Sequence, residues 1–181
     1  MHPELIIEME DGGMMEIELY PDKAPITVDN FIALVEEGYF DNTSFHRVVK
    51  DFVIQGGSKN DTCCEDFPGF AITGEFKENG CDTGLLHKRG TLSMARDPEP
   101  DTAATQFFIC HRDTPRLDGR YAAFGDMVRG FDVLDRIALT PTDTPEKENR
   151  PFARQTIKRM TIKRQGYVPK SPQRIPGNIE K

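Results

Sequence analysis

A chain of 181 residues with 37% hydrophobic and 29% charged residues, 15 Gly and 13 Pro suits one loop-rich globular domain rather than a disordered or fibrous one. No apolar run approaches the roughly 20 residues a membrane helix needs, and the acidic opening MHPELIIEMEDGG has no basic leader pattern, so a cytoplasmic protein without membrane contact is expected. The net charge of −7 is uneven: residues 147–181 hold ten Lys/Arg and two Asp/Glu (net +8), leaving 13 and 28 (net −15) for residues 1–146. That pattern reads as a basic terminal segment lying on an acidic body. Without aromatic interleaving it predicts no nucleic-acid partner.

In chain order, Leu5–Glu10 and Met14–Tyr20 flank Asp11-Gly12-Gly13, a hairpin signal. Pro21–Pro25 reads as a loop. Thr27 is placed to cap a helix whose apolar residues Val28, Phe31, Ile32 and Val35 share one face, and Gly38 is placed to end it. Ser44–Gly57, SFHRVVKDFVIQGG, reads as a strand pair carrying a cation among large apolar side chains. If its first strand is regular, Phe45, Arg47 and Val49 share a face. His46 reads as a core histidine bonded to backbone. Residues 58–83 form a long acidic excursion with one strand candidate, Ala71–Phe76. Strands are expected at Gly90–Ala95, Gln106–Cys110, Ala122–Phe124 and Thr156–Lys163. A turn is expected at Leu117–Gly119, a short helix at Phe131–Ala138 and a loop at Leu139–Ala153. The pattern by itself supports a mainly β domain with two helices.

Four cysteines, Cys63, Cys64, Cys81 and Cys110, lack the spacing of a zinc site, so no metal and no cofactor are expected. A disulfide framework is out of place in a reducing compartment.

The blocks FHRVVKDFVIQGG (Phe45–Gly57), GTLSMAR (Gly90–Arg96), TQFFIC (Thr105–Cys110) and LDGRYAAFG (Leu117–Gly125), in that order, resemble the cyclophilin family of peptidyl-prolyl isomerases. The resemblance runs from about Leu5 to Ile162. It implies a closed eight-stranded antiparallel barrel capped by two α-helices, with residues 1–164 as the isomerase domain and 165–181 as a Pro-containing basic tail. It implies that Arg47 is the catalytic arginine and that Gln55 orients arginine and substrate. Phe52, Val53, Phe108 and Leu117 line a proline pocket, Tyr121 stands where histidine is frequent, and Arg96 and Gln106 border the substrate backbone. This sequence departs from the family pattern in three places. Val53 stands for a frequent methionine, Arg116 for an indole or phenyl ring, and Arg96 for a frequent asparagine.

The chemistry suits these residue types. Isomerising an X-Pro bond means breaking amide resonance, a barrier of about 18–20 kcal/mol, and takes about 10–100 s unaided. A catalyst needs a greasy slot for the proline ring and a fixed donor that favours the twisted amide. Arginine is always charged and rigidly forked, which suits the donor role. The expected activity is therefore X-Pro isomerisation that assists folding, by a monomer acting on proline-containing peptides and unfolded or partly folded proteins, with cyclosporin-type ligands as weak binders. The alternative is a proline-peptide binding module with little turnover. A hydrolase is disfavoured, because no Ser-His-Asp or Cys-His order surrounds a Gly-rich elbow. The tail, Gln165–Lys181, is expected to lie extended on the barrel with Tyr167 and Val168 packed. A variant puts one of its X-Pro pairs into a neighbouring molecule's active site.

Overall fold

The computed structural model describes residues 2–63 and 67–177. Chain order is β1 (Glu4–Met9), β2 (Met14–Leu19), α1 (Pro25–Glu36), β3 (Arg47–Val49), β4 (Val53–Gly56), β5 (Phe70–Ala71), β6 (Thr91–Met94), β7 (Phe107–Cys110), β8 (Ala123–Arg129), α2 (Phe131–Ala138), β9 (Ile157–Lys163) and β10 (Ile175–Pro176). Eight strands make one antiparallel sheet in the order β3-β4-β7-β6-β8-β2-β1-β9, and β10 pairs with β5 in a second, two-stranded sheet. The β1–β2 hairpin turns where the Asp-Gly-Gly signal stands.

The closed barrel expected from the family resemblance is not what the ladders form. The end strands β3 and β9 share no ladder. An isolated bridge between Ser44 and Thr156 spans the gap, with the Phe45 N–H donating to Gln155 O at 3.0 Å and the Ile157 N–H to Thr43 O at 2.8 Å. The physical reason lies in Phe45. Its ring is fully buried and meets Phe107 edge-on at 5.9 Å, so the chain at 44–46 dives into the core instead of running along β9. Phe45 therefore does not share a face with Arg47, and β3 is three residues long. The open edge at β9 carries Lys158, Arg159 and Lys163, charges that discourage pairing with another chain.

The inner face of the sheet and both helices enclose one core. Phe31 of α1 stacks on Phe40 at 5.0 Å, meets Phe107 edge-on at 5.5 Å and lies 5.1 Å from Phe124. The α2 helix, whose bounds match the sequence reading, buries Val133, Leu134 and Ile137. Where α1 starts differs from expectation. It begins at Pro25, whose fixed φ and missing N–H suit the first helical position. Thr27 is buried inside the helix rather than capping it, and the cap comes from a distant residue. The Glu75 carboxylate accepts from the Ile26 N–H (3.1 Å), the Thr27 N–H (2.8 Å) and the Thr27 hydroxyl (2.7 Å). Gly38, at φ +70°, ends the helix in a Schellman arrangement, its N–H bonding Val35 O and that of Tyr39 bonding Leu34 O.

Two other strand bounds shift. Among the described residues the excursion holds a strand only at Phe70–Ala71, with Ile72 in an isolated bridge to Ala103. Strand β8 runs on to Arg129, because it pairs with both β2 and β6. After β9 the chain returns across α1. The Tyr167 hydroxyl donates to Asp29 Oδ1 at 2.7 Å and the ring packs on the core, but Val168 is 78% exposed, so the expectation for Val168 is not met.

Candidate active site

The site grows out of strand register. Arg47 pairs with Gln55, Gln55 with Phe108, and Phe108 with Ser93, so these residues form one row across β3, β4, β7 and β6. Residues paired across strands project to the same side of a sheet. Two residues along, Val49, Val53 and Cys110 make a second row on that side. The alternate row, Val48, Ile54, Ile109 and Leu92, faces the core. Strands β4, β6 and β7 are buried along their whole length because both faces are covered. Outside the core, Val53, Phe108, Cys110 and Leu117 form a small apolar cluster of their own, flanked by Phe52, Ala95 and Tyr121.

Val53, Phe108 and Leu117, with the flanking Phe52, Ala95 and Tyr121, line a cavity of about 230 Å³, and Arg47, Gln55 and Arg96 complete its wall. A second cavity of about 290 Å³ adjoins it and shares Arg47, Gln55, Ala95 and Arg96. The second cavity adds Gln106, Thr105 and, from the 58–83 excursion, Cys63, Phe67 and Pro68. All nine residues expected at the site therefore meet here: Arg47, Gln55, Phe52, Val53, Arg96, Phe108, Leu117 and Tyr121 at the first cavity and Gln106 at the second.

A relay of side-chain amides holds the arginine. Arg47 Nη1 donates to Gln55 Oε1 at 3.1 Å, and Gln55 Nε2 donates to Gln106 Oε1 at 2.9 Å. Gln106 Nε2 donates in turn to the carbonyls of Thr62 (3.3 Å) and Cys63 (3.2 Å). Both amide orientations follow from that chain, since arginine can only donate and carbonyls only accept. One of the five guanidinium N–H donors is used on Gln55, and Arg47, half-buried, lines both cavities.

Sequence reasoning missed the support beneath the floor. His87 is buried, stacks against Phe108 (centroids 5.9 Å, 20° between planes) and meets Tyr121 edge-on. Its Nδ1 lies 3.1 Å from Asp118 Oδ1, and its Nε2 lies 2.9 Å from the Ser93 hydroxyl. Burial lowers its pKa, and Asp118 acts against that shift. Neutral His87 therefore donates from Nδ1 to Asp118 and accepts from Ser93. An Asp-His-Ser chain is thus present, although no Gly-rich elbow announces it. Ser93 is fully buried beside Phe108 and bonded to His87, which closes it to any substrate. A ring paired with a buried strand row leaves no local sequence signal, because His87 and Phe108 are far apart in the chain. Phe67 and Pro68 were missed as well, because the same excursion holds Phe70, Ala71, Ile72 and Phe76 and nothing local sets the two apart.

Several neighbours complete the surroundings. His46 is buried, and burial lowers its pKa while Asp61, Glu148, the Gln106 side chain and the Ser44 backbone act against that shift. Arg96 is sandwiched between Phe76 and Tyr121, its Cζ 4.7 and 4.8 Å from the ring centroids. It donates to Arg120 O at 3.0 and 2.7 Å and to the carbonyls of Asp97 and Pro98. It works as a rigid wall. Arg116 lies over the Phe52 ring at 4.2 Å. Cys81 and Cys110 are free thiols, and Cys64 lies outside the described residues. Among the described residues no three His, Cys, Asp or Glu side chains gather as metal ligands.

The arrangement joins an apolar slot to a positioned cation, with no activated nucleophile in the slot. The Cys110 thiol, fully buried in the cluster with Val53 and Phe108, is pushed up to about 12 by burial and stays protonated. Such a site can hold a proline ring and donate to the amide beside it, without making or breaking a covalent bond.

Comparison with known proteins agrees. The family described as cyclophilin type peptidyl-prolyl cis-trans isomerase/CLD matches residues 5–162. A peptidyl-prolyl cis-trans isomerase of Acinetobacter baylyi is 41% identical over 145 residues, covering 77% of this chain and 74% of that protein. The peptidyl-prolyl cis-trans isomerase-like 1 protein of Neurospora crassa is 41% identical over 154 residues, covering 84% and 90%. A cyclophilin-type isomerase of Cryptosporidium parvum, crystallised in the presence of the dipeptide Ala-Pro, superposes with a TM-score of 0.77 at 33% identity and covers 88% of this chain and 98% of its own. The chain belongs to the cyclophilin-type peptidyl-prolyl cis-trans isomerase family.

Proposed function

We propose that this isomerase binds the proline ring of an X-Pro peptide in the slot floored by Phe108 and that Arg47 stabilises the twisted amide. When the C–N bond rotates out of plane, resonance is lost and the nitrogen regains its lone pair. A guanidinium N–H presented to that nitrogen binds the twisted state better than the planar one, and only such differential binding speeds the reaction. Gln55 holds the guanidinium in place, and Gln106 holds Gln55. Phe52, Val53, Leu117 and Tyr121 enclose the ring, and Arg96 borders the peptide backbone. The observation that carries this reading is the shared row of Arg47, Gln55 and Phe108, which puts a hydrogen-bonded cation at the lip of an apolar slot.

The Cryptosporidium parvum relative crystallised with Ala-Pro supports a proline-peptide ligand. Free thiols at Cys81 and Cys110 suit a reducing compartment, so the reading extends to a cytoplasmic monomer acting on folding chains. In this reading residues 1–164 do the chemistry and 165–181 are an addition to it. Exchange spectroscopy on a short Ala-Pro peptide tests the core of the proposal. Substoichiometric protein is expected to accelerate cis–trans exchange, and saturable binding without acceleration would favour a proline-peptide binding module instead.

A further inference from the structure

The second cavity has an outer wall that does not belong to the eight-stranded sheet. Phe67 and Pro68, from the 58–83 excursion, line it, and Phe67 is 56% exposed. An exposed phenyl on an irregular segment needs something to hold it, and the C-terminal segment is what touches it. Strand β10 pairs with β5, Ile175 opposite Ala71 and Pro176 opposite Phe70, and the Gly177 N–H donates to Gly69 O at 3.1 Å. Pro176 offers no N–H, so the pairing stays short and stops at this edge. Gly177 lies against the Phe67 ring so closely that a Cβ there would fall 2.1 Å from the ring tip.

A second tie reaches the opposite wall. The Arg174 guanidinium lies over the Phe70 ring at 4.2 Å, and its Nε donates to Asn30 Oδ1 at 2.9 Å. Asn30, fully buried in α1, donates from Nδ2 to the carbonyl of Ala104 at 3.1 Å, and Ala104 lines the second cavity. Further back, Tyr167 anchors the segment to Asp29. Residues 167–177 are therefore fastened to α1 and to both sides of the second cavity.

We propose that this C-terminal segment is a strap that sets the width of the second cavity, and with it the enzyme's preference for residues flanking the X-Pro pair. The proposal rests on the site assignment above, since the second cavity matters to substrate only if the proline sits in the first. Arg174 and Gly177 are positioning residues that act through Asn30 and Phe67 and touch no substrate.

The test is kcat/KM over a peptide panel in which the residue before the X-Pro pair, and separately the residue after it, runs through Gly, Ala, Leu, Phe, Lys and Glu. Gly177→Val drives its side chain into the Phe67 ring, and Arg174→Ala removes the tie to Asn30. Both are expected to change the Phe-to-Ala ratio at one flanking position by at least about fivefold, a pocket-shape effect. Activity on the all-Ala peptide should stay within about twofold in both. Arg174→Lys keeps the charge without the fork and should fall between. Melting curves verify folding, and should Gly177→Val fail to fold, Arg174→Ala carries the test alone. Unchanged ratios, or a uniform loss over the whole panel, overturn the strap. Arg47→Ala on the same panel separates the two readings. Full activity there defeats the site assignment, whereas the strap stands or falls on the ratios.

Discussion

Replacing Arg47 by alanine should cost far more rate than stability. On the stability side, the substitution removes one hydrogen bond, Nη1 to Gln55 Oε1 at 3.1 Å, from a half-buried side chain. Losing a bond to a charged donor and leaving Gln55 Oε1 beside an open cavity that admits water costs about 1–3 kcal/mol at most. Gln55 keeps its bond to Gln106, so the rest of the relay survives. On the rate side, removing one preorganised donor from a site of this kind costs about 10²–10³ in turnover, or about 2.7–4 kcal/mol. Arg47→Lys should recover part of the loss, because charge remains but the rigid fork that matches Gln55 and the amide together does not. A protease-coupled isomerisation assay on an Ala-Pro peptide gives kcat/KM, and circular dichroism with a thermal melt reports the fold. A rate within about threefold of wild type, with native dichroism, would refute the donor role and shift the reading to peptide binding alone.

Further predictions concern the surroundings of the site. Glu75→Ala strips three hydrogen bonds from the start of α1 and should cost about 2 kcal/mol or more, read as a lower midpoint in urea, while kcat/KM changes little; an unchanged midpoint would refute capping in trans. The pKa values of His46 and His87 are both lowered from 6.5 by burial, so at mildly acid pH the unfolded chain binds protons that the folded one refuses. Stability should therefore be fully present above pH 6.5 and fall as pH drops below it, by at most about 1.4 kcal/mol per pH unit for each histidine. Melts from pH 7.5 to 5.5 show this, His87→Asn should flatten the slope, and a pH-independent midpoint would refute it. Cyclosporin-type ligands should bind weakly, because Arg116 covers Phe52 with a mobile cation instead of a flat apolar ring. Arg116→Trp should tighten binding in a calorimetric titration, and equal affinities would dismiss the idea.

Much of this protein is legible along the chain because its causes are local. Periodicity placed the apolar face of α1 at Val28, Phe31, Ile32 and Val35 and bounded α2, since a helix buries a stripe written at a fixed spacing. Asp-Gly-Gly and Gly38 marked a hairpin and a helix end, because turns need residues that tolerate unusual backbone angles. The blocks around Arg47, Arg96, Phe108 and Leu117 carried the family resemblance and with it the nine residues proposed for the site.

What only the tertiary structure decided depends on pairing between distant residues. The row of Arg47, Gln55, Phe108 and Ser93 exists because four strands settle in one register, and a one-residue slip would turn each side chain to the other face. Phe45 was assigned to the face of Arg47 by strand alternation, but the pull of the phenyl core bent the chain and left the sheet joined at that end by a single bridge. Thr27 looked like a cap until Glu75, remote in sequence, satisfied the helix start. His87 beneath Phe108 and Gly177 against Phe67 follow the same rule: local sequence sets the elements, and long-range burial decides which residues those elements bring into contact.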